Sequence, residues 1–462
     1  MFKLNCIAFL ALVAALVSLN VAGLAHAGAP ARHYAKSVSD AALELIRLTP
    51  KSQRSLLLQP FNGPQRTGGR DVSGTPSFCG VLAWCQPYGL PQGKMSGPQL
   101  FAMHRLLSLA LSSGGYQSLL SVMNRQRVIG EMEAVADTKA VAKVRKEHPK
   151  ARAKSIFALA GSAGPDVRNW YPSVGGMTRL PNSVLDWSWN PPGAAARLRQ
   201  FEEYSLLISG TPGKGDWGLR FEGHHLTINL TFSQREDGTA AAFGTPLFLG
   251  AFPMIVPPPP SSQADFESEW QWVQGQSLAS SAVHHLRQFW MALPEETRKS
   301  GLIPASDFQQ APPLLADTPP NYLITSLATE VAPRTIDSHR VVEFAPRKLT
   351  DRSRWNLRQT FDVYFSVLHE DLQEQYDRKF EEALKSSAPL RVAWAGGELS
   401  DPSTHHYSYV QLGDLLLELF QSNRFSTQHA SVPSGNHVHS MLRDLEFDWS
   451  MPNPASRHHV SR

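Results

Sequence analysis

Two short stretches of this chain concentrate side chains able to bind a metal or move a proton. Asn436-His437-Val438-His439-Ser440-Met441-Leu442-Arg443-Asp444 is dense in polar groups, and Phe221-Glu222-Gly223-His224-His225-Leu226 forms a second patch far upstream. Residues two apart in an extended strand point to one face, so His437 and His439 are spaced to converge on one ligand. Imidazole is the commonest protein metal ligand, and Glu222 with His224 repeats the same spacing. If the two patches meet, His224, His225, His437 and His439 supply nitrogen donors and Glu222 one carboxylate. Such a nitrogen-rich set suits Zn, Cu or non-haem Fe.

With Zn, the bound water acquires a lowered pKa and attacks an ester, amide or phosphoester, with Glu222 or Asp444 as general base. With Fe or Cu, oxidative chemistry is the natural outcome. Arg443 carries a planar fork suited to a substrate carboxylate or phosphate, or it forms an ion pair with Asp444 at the strand end. Asn436 belongs to the same stretch, His405-His406-Tyr407 adds a third polar patch, and Glu418 interrupts an apolar run as an inward carboxylate. Read along 221–232 as one strand, Glu222 and His224 share a face with Leu226, Ile228, Leu230 and Phe232. For that pair alone, a Glu–His hydrogen bond at a sheet end is the favoured account. The leading expectation is a metal-dependent enzyme, hydrolytic because Zn needs no electron supply. A non-catalytic metal- or ligand-binding protein and a metal-free structural protein are the alternatives.

Other apparent signals carry less. Gly210-Thr211-Pro212-Gly213-Lys214-Gly215 lacks the spacing of a phosphate loop, and His369-Glu370 lacks the second His of a zincin helix. No G-x-S-x-G nucleophile elbow occurs in the chain.

The elements that must position these residues follow from the rest of the chain. Lys3, an apolar run from Cys6 to Val21 and Ala25-His26-Ala27 read as a signal peptide over residues 1–27, so the protein is expected to be exported, to the periplasm or beyond. No later stretch is long and apolar enough to span a bilayer. The formal net charge is only +4, too mild to imply nucleic acid, which leaves a small-molecule or polymer substrate of unknown identity. Beyond the leader, Cys79 and Cys85 are the only cysteines, and in an oxidising compartment they are expected to form a disulfide.

Residues 28–200 form a helical N-terminal part: a helix from Val38 to a break at Thr49-Pro50, the cysteine loop, helical periodicity over 98–135 split at Gly114-Gly115, then a basic insertion between Lys139 and Lys154. From Tyr204 the texture turns to strands, with Asp237-Gly238 as a hairpin signal and Pro246–Leu249 as the return strand. Helices are predicted over 263–292 and 351–387, and strands over 391–395, 407–412 and 415–420. Residues 451–462 read as a flexible tail. The sum is an α+β protein, a mostly antiparallel sheet with flanking helices, whose 201–450 core carries the histidines.

These residues resemble an uncharacterised, mostly bacterial family, domain of unknown function 3500. The likeness rests on Arg220–Leu226 with Asn229, on Thr245–Gly250, on Trp394-Ala395-Gly396, on His406-Tyr407 and Glu418, and on Asn436–Ser440 with Arg443-Asp444. Leu111-Ser112 with Gly115-Tyr116 is similar to its helical N-terminal part, whereas residues 137–200 depart from the pattern. The resemblance implies one integrated unit and transfers no activity.

Overall fold

The computed structural model describes residues 33–66, 88–127, 146, 201–234, 240–251, 255–256, 275–303, 341–396, 406–422 and 437–448. The leader, Cys79 and Cys85, the basic insertion apart from Lys146, Asp237-Gly238, Asn436 and the tail lie outside the described residues.

Helix α1 (33–48) buries Tyr34, Val38, Ala41, Ala42 and Leu45, one stripe at helical spacing. It ends before Pro50, where the pre-proline residue disfavours α geometry. Helix α2 (Gly97–Ala110) begins at a capping box in which the Ser96 N–H donates to Gln99 Oε1 at 2.9 Å. The break in this helical stretch falls at 111–112, ahead of the glycine pair. Gly115 instead sits inside the following helix (113–127), where an added Cβ would lie 1.9 Å from the Val367 carbonyl oxygen.

Helices α3 (Leu278–Met291) and α4 (Asp351–Phe365) are N-capped by Ser277 and Thr350, each hydroxyl accepting a backbone N–H of the first turn. The helical periodicity over 351–387 splits into α4 and α5 (Glu370–Lys385). His369 caps α5, its Nδ1 accepting the Asp371 N–H at 3.3 Å, and Glu370 and Asp371 suit the positive helix end.

Among the described residues, eight strands form the body of a 13-stranded sheet: β1 (Ser205–Thr211), β2 (Lys214–Gly223), β3 (Leu226–Gln234), β4 (Leu247–Ala251), β5 (Leu390–Gly396), β6 (His406–Leu412), β7 (Leu415–Ser422) and β8 (His437–Asp444). Their spatial order is β1-β2-β3-β4-β8-β7-β6-β5, with every neighbouring pair antiparallel. Two-residue strands, Leu58–Gln59 on β1 and Leu302–Ile303 on β5, add parallel edges. The fold is thus α+β with a mostly antiparallel sheet. It consists of two four-stranded meanders joined where β4 pairs with β8 from Leu247↔Leu442 to Ala251↔Val438.

Directly paired residues share a face, so the register sorts the side chains. One face carries Phe221, Ile228, Leu230, Leu249, Leu442 and Leu417, and the helices pack on it: Tyr34 of α1 lies 5.6 Å from Phe232, and Tyr376 of α5 accepts the Gly244 N–H. The other face carries Arg220, Glu222, Thr227, Asn229, Tyr407, Glu418, His439 and Arg443, all buried. This corrects the single-strand reading of 221–232. A hairpin at His224-His225 pairs Gly223 with Leu226 and shifts the alternation, so Glu222 lies with Thr227 and Asn229 and opposite Leu226 and Ile228.

Candidate functional site

The β2–β3 turn is shaped by what lies beneath it. His225 has φ 65°, a left-handed conformation uncommon outside glycine. A Cβ on Gly223 would sit 2.2 Å from the Tyr204 ring, whose hydroxyl donates to the His224 carbonyl at 2.6 Å. The turn is also tied to β4, where the Gly250 N–H donates to the His225 carbonyl at 2.8 Å.

Gly250 pairs in register with His439 of β8, and this brings the two distant patches together. The His225 and His439 rings have centroids 5.1 Å apart at 58°, and both imidazoles are buried. A Cβ at position 250 would approach His225 Cδ2 to 2.8 Å and His439 Cδ2 to 3.1 Å, so the glycine provides the space both rings occupy. His224 stacks behind His225 at 4.0 Å and 33°, and Phe248 borders His439 at 5.4 Å. His437 begins β8, its backbone opposite Ser422, and His406 begins β6 opposite Gln421. Two imidazoles bound tetrahedrally to one ion, with metal–nitrogen bonds of about 2.1 Å, place their ring centres about 5 Å apart. The His225–His439 separation fits that spacing. Among the described residues, no three His, Cys, Asp or Glu side chains form a closed shell.

The carboxylates are distributed differently from the expectation. Glu222 takes a bidentate contact from Arg220, Nη2 to Oε1 at 2.7 Å and Nε to Oε2 at 3.1 Å, with Thr227 Oγ1 donating as well. Asp444 does not pair with Arg443, because alternation along β8 sends the two to opposite faces. Asp444 is held by Lys379 of α5 at 2.6 Å, and burial, opposed by that lysine, pushes its carboxyl up to about 6. Arg443 instead donates from Nε to Asp448 Oδ2 at 2.6 Å, and Asp448 Oδ1 accepts the Asp444 N–H.

The register places Glu418 of β7 opposite Met441, one residue pair from both His439 and Arg443 on the shared face. Glu418 is fully buried, and Tyr407 of β6 donates to its Oε1 at 2.6 Å. Burial pushes the Glu418 carboxyl up to about 8, against the lowering effects of the Tyr407 hydrogen bond and the Arg443 charge. A buried carboxyl that titrates near neutrality is the kind of group acid–base chemistry requires. Glu418 Oε2 and Arg443 Nη1 are buried without a hydrogen-bond partner.

Gly250, Tyr407 and Asp448 are therefore parts of this cluster that the spacing of the histidines did not single out. Tyr407 had a legible signal, an aromatic alternating with Tyr409 beside an inward Glu. Gly250 and Asp448 had none, since their roles depend on contacts distant in sequence or across a turn.

No curated protein and no solved structure matches this chain. The family described as "Protein of unknown function (DUF3500)" matches residues 32–451, nearly the whole chain, and the protein belongs to that family.

Proposed function

We infer that this protein is an exported metal-dependent enzyme whose site lies at the seam of the two meanders. The observation that supports the reading is the meeting of His225 and His439, 214 residues apart in sequence, at a spacing suited to one shared ion. His437, next but one to His439, is the third nitrogen donor of the proposal, and Zn, Cu and Fe all accept such a set. With Zn the ion supplies a nucleophilic water near neutral pH, which favours hydrolysis. Glu418 holds or releases the proton, and Arg443 orients an anionic group of the substrate.

One observation favours a second reading, a metal-free polar network. Arg220–Glu222 and Arg443–Asp448 are buried ion pairs, which by themselves need no ligand. Elemental analysis separates the two readings. Protein exported through the periplasm and purified without a histidine tag is compared with folded His437→Ala/His439→Ala. About one equivalent of a transition metal in the wild type, lost in the variant, supports the metalloenzyme. A metal-free wild type that also takes up no Zn, Cu or Fe leaves the network reading.

A further inference from the structure

Arg443 and Glu418 carry opposite formal charges on adjacent strands of one buried face, yet they form no ion pair with each other. Arg443 spends its Nε on Asp448, and Glu418 accepts at Oε1 from Tyr407. Each is left with one buried polar atom, Nη1 and Oε2, without a partner. A buried polar atom without a hydrogen bond costs about 1–3 kcal/mol, more when charged, so two such atoms on one face call for a third group.

We propose that Arg443 Nη1 and Glu418 Oε2 form the two arms of a binding site for the carboxylate of a small monoanionic substrate. This rests on, and sharpens, the enzymatic reading above. The Tyr407 hydroxyl donates to Glu418 Oε1, which fixes Oε1 as an acceptor and leaves Oε2 to carry the proton of the neutral acid. A carboxyl raised by burial to about 8 is in that neutral form at pH 7. Both arms then present hydrogens, N–H from Arg443 and O–H from Glu418, and both suit acceptor oxygens. Arg443 brings one positive charge to this face and Asp448 already shares it, so a dianion would leave more uncompensated buried charge than a monoanion does. That selects a carboxylate over a phosphate monoester. Tyr409 of β6 and Met441 of β8 pair with Glu418 across the register and share its face.

The test is calorimetric titration of acetate, acetamide and sulfate, a dianion at pH 7, into the full mature chain at pH 7, metal-stripped and metal-loaded. Acetate is expected to bind the metal-stripped protein, and sulfate and acetamide at least tenfold more weakly. Glu418→Gln keeps a donor at this position and should hold acetate within a few-fold, whereas Glu418→Leu should lose at least tenfold. Arg443→Gln strands Asp448, so Arg443→Gln/Asp448→Asn is the companion variant, and it should lose acetate as well. Acetate that binds only metal-loaded protein, and is lost in His439→Ala but kept in Glu418→Leu, overturns this inference while sustaining the metal site. No acetate binding by folded wild type overturns it whatever the metal analysis shows.

Discussion

Replacing Glu418 with Gln tests the reasoning about the buried face through stability alone. In the folded protein the Glu418 carboxyl titrates near 8 against an ordinary value of 4.5, because burial disfavours its charged form. Between those values the native state holds a proton that the unfolded state has released. Stability therefore falls as pH rises, by about 1.36 kcal/mol per pH unit. The contribution is complete below 4.5, declines from there, and is gone above about 8. Gln cannot titrate and still offers an oxygen to the Tyr407 hydroxyl, so the variant lacks this decline. The assay is urea unfolding of both proteins at pH 5, 6, 7 and 8, and the quantity read is the difference between them. Other titrating groups largely cancel in that difference. Relative to wild type, Glu418→Gln should gain about 3–4 kcal/mol between pH 5 and pH 8. A difference that stays constant across this range refutes the assignment of a neutral, buried Glu418.

Three further outcomes follow from the same packing. Gly250→Ala must displace the His225 or His439 ring, and urea midpoints should show a loss of about 1–3 kcal/mol. Arg220→Met strands Glu222 at zero exposure and should cost about 3–5 kcal/mol, with Arg220→Met/Glu222→Leu recovering most of it in a double-mutant cycle. Full loss in the double variant would show that the pair does more than satisfy itself. Lys379→Met removes the cation beside Asp444, whose carboxyl sits near 6. Its destabilisation should be clear at pH 8 and shrink at pH 5, where Asp444 is neutral, as thermal melts at the two pH values will show.

How far the sequence revealed the site depends on the range of the interaction involved. The common face of His437 and His439 in an extended segment was legible from alternation alone, because that periodicity is local. The inward carboxylate of Glu418 was legible for a different reason, as the one acid interrupting the apolar run Leu415–Phe420. The turn at His224-His225 was not, since it lacks the Asn-Gly or Asp-Gly that marks a two-residue hairpin. Its glycine, Gly223, is set by the ring of Tyr204 beneath it, a contact no local pattern encodes. Missing that turn inverted the face assigned to Glu222. The Arg443–Asp444 pair failed in the opposite sense: neighbours in sequence point apart in a strand, and the real partner, Asp448, returns through the following turn. The α4–α5 break was hidden because Ser366–His369 holds no Gly or Pro to mark it, and the new start lies in the cap His369.

The two buried arginines make the strongest internal comparison. Arg220 and Arg443 lie on the same face with nearly equal exposure, 2% and 1%. Arg220 spends Nε and Nη2 on both oxygens of Glu222 and Nη1 on the Arg66 carbonyl at 3.2 Å, so its planar fork is engaged at all three nitrogens. Arg443 has one bond to Asp448 and leaves Nη1 bare. The same contrast holds for the acids: Glu222 accepts on both oxygens, whereas Glu418 accepts on one. Both arginines are buried, so the difference lies in what the protein provides each of them in return. Arg220 and Glu222 satisfy one another and act as scaffold. Arg443 and Glu418, on the strands beside the paired histidines, each keep one buried polar atom open, which is where a ligand would complete them.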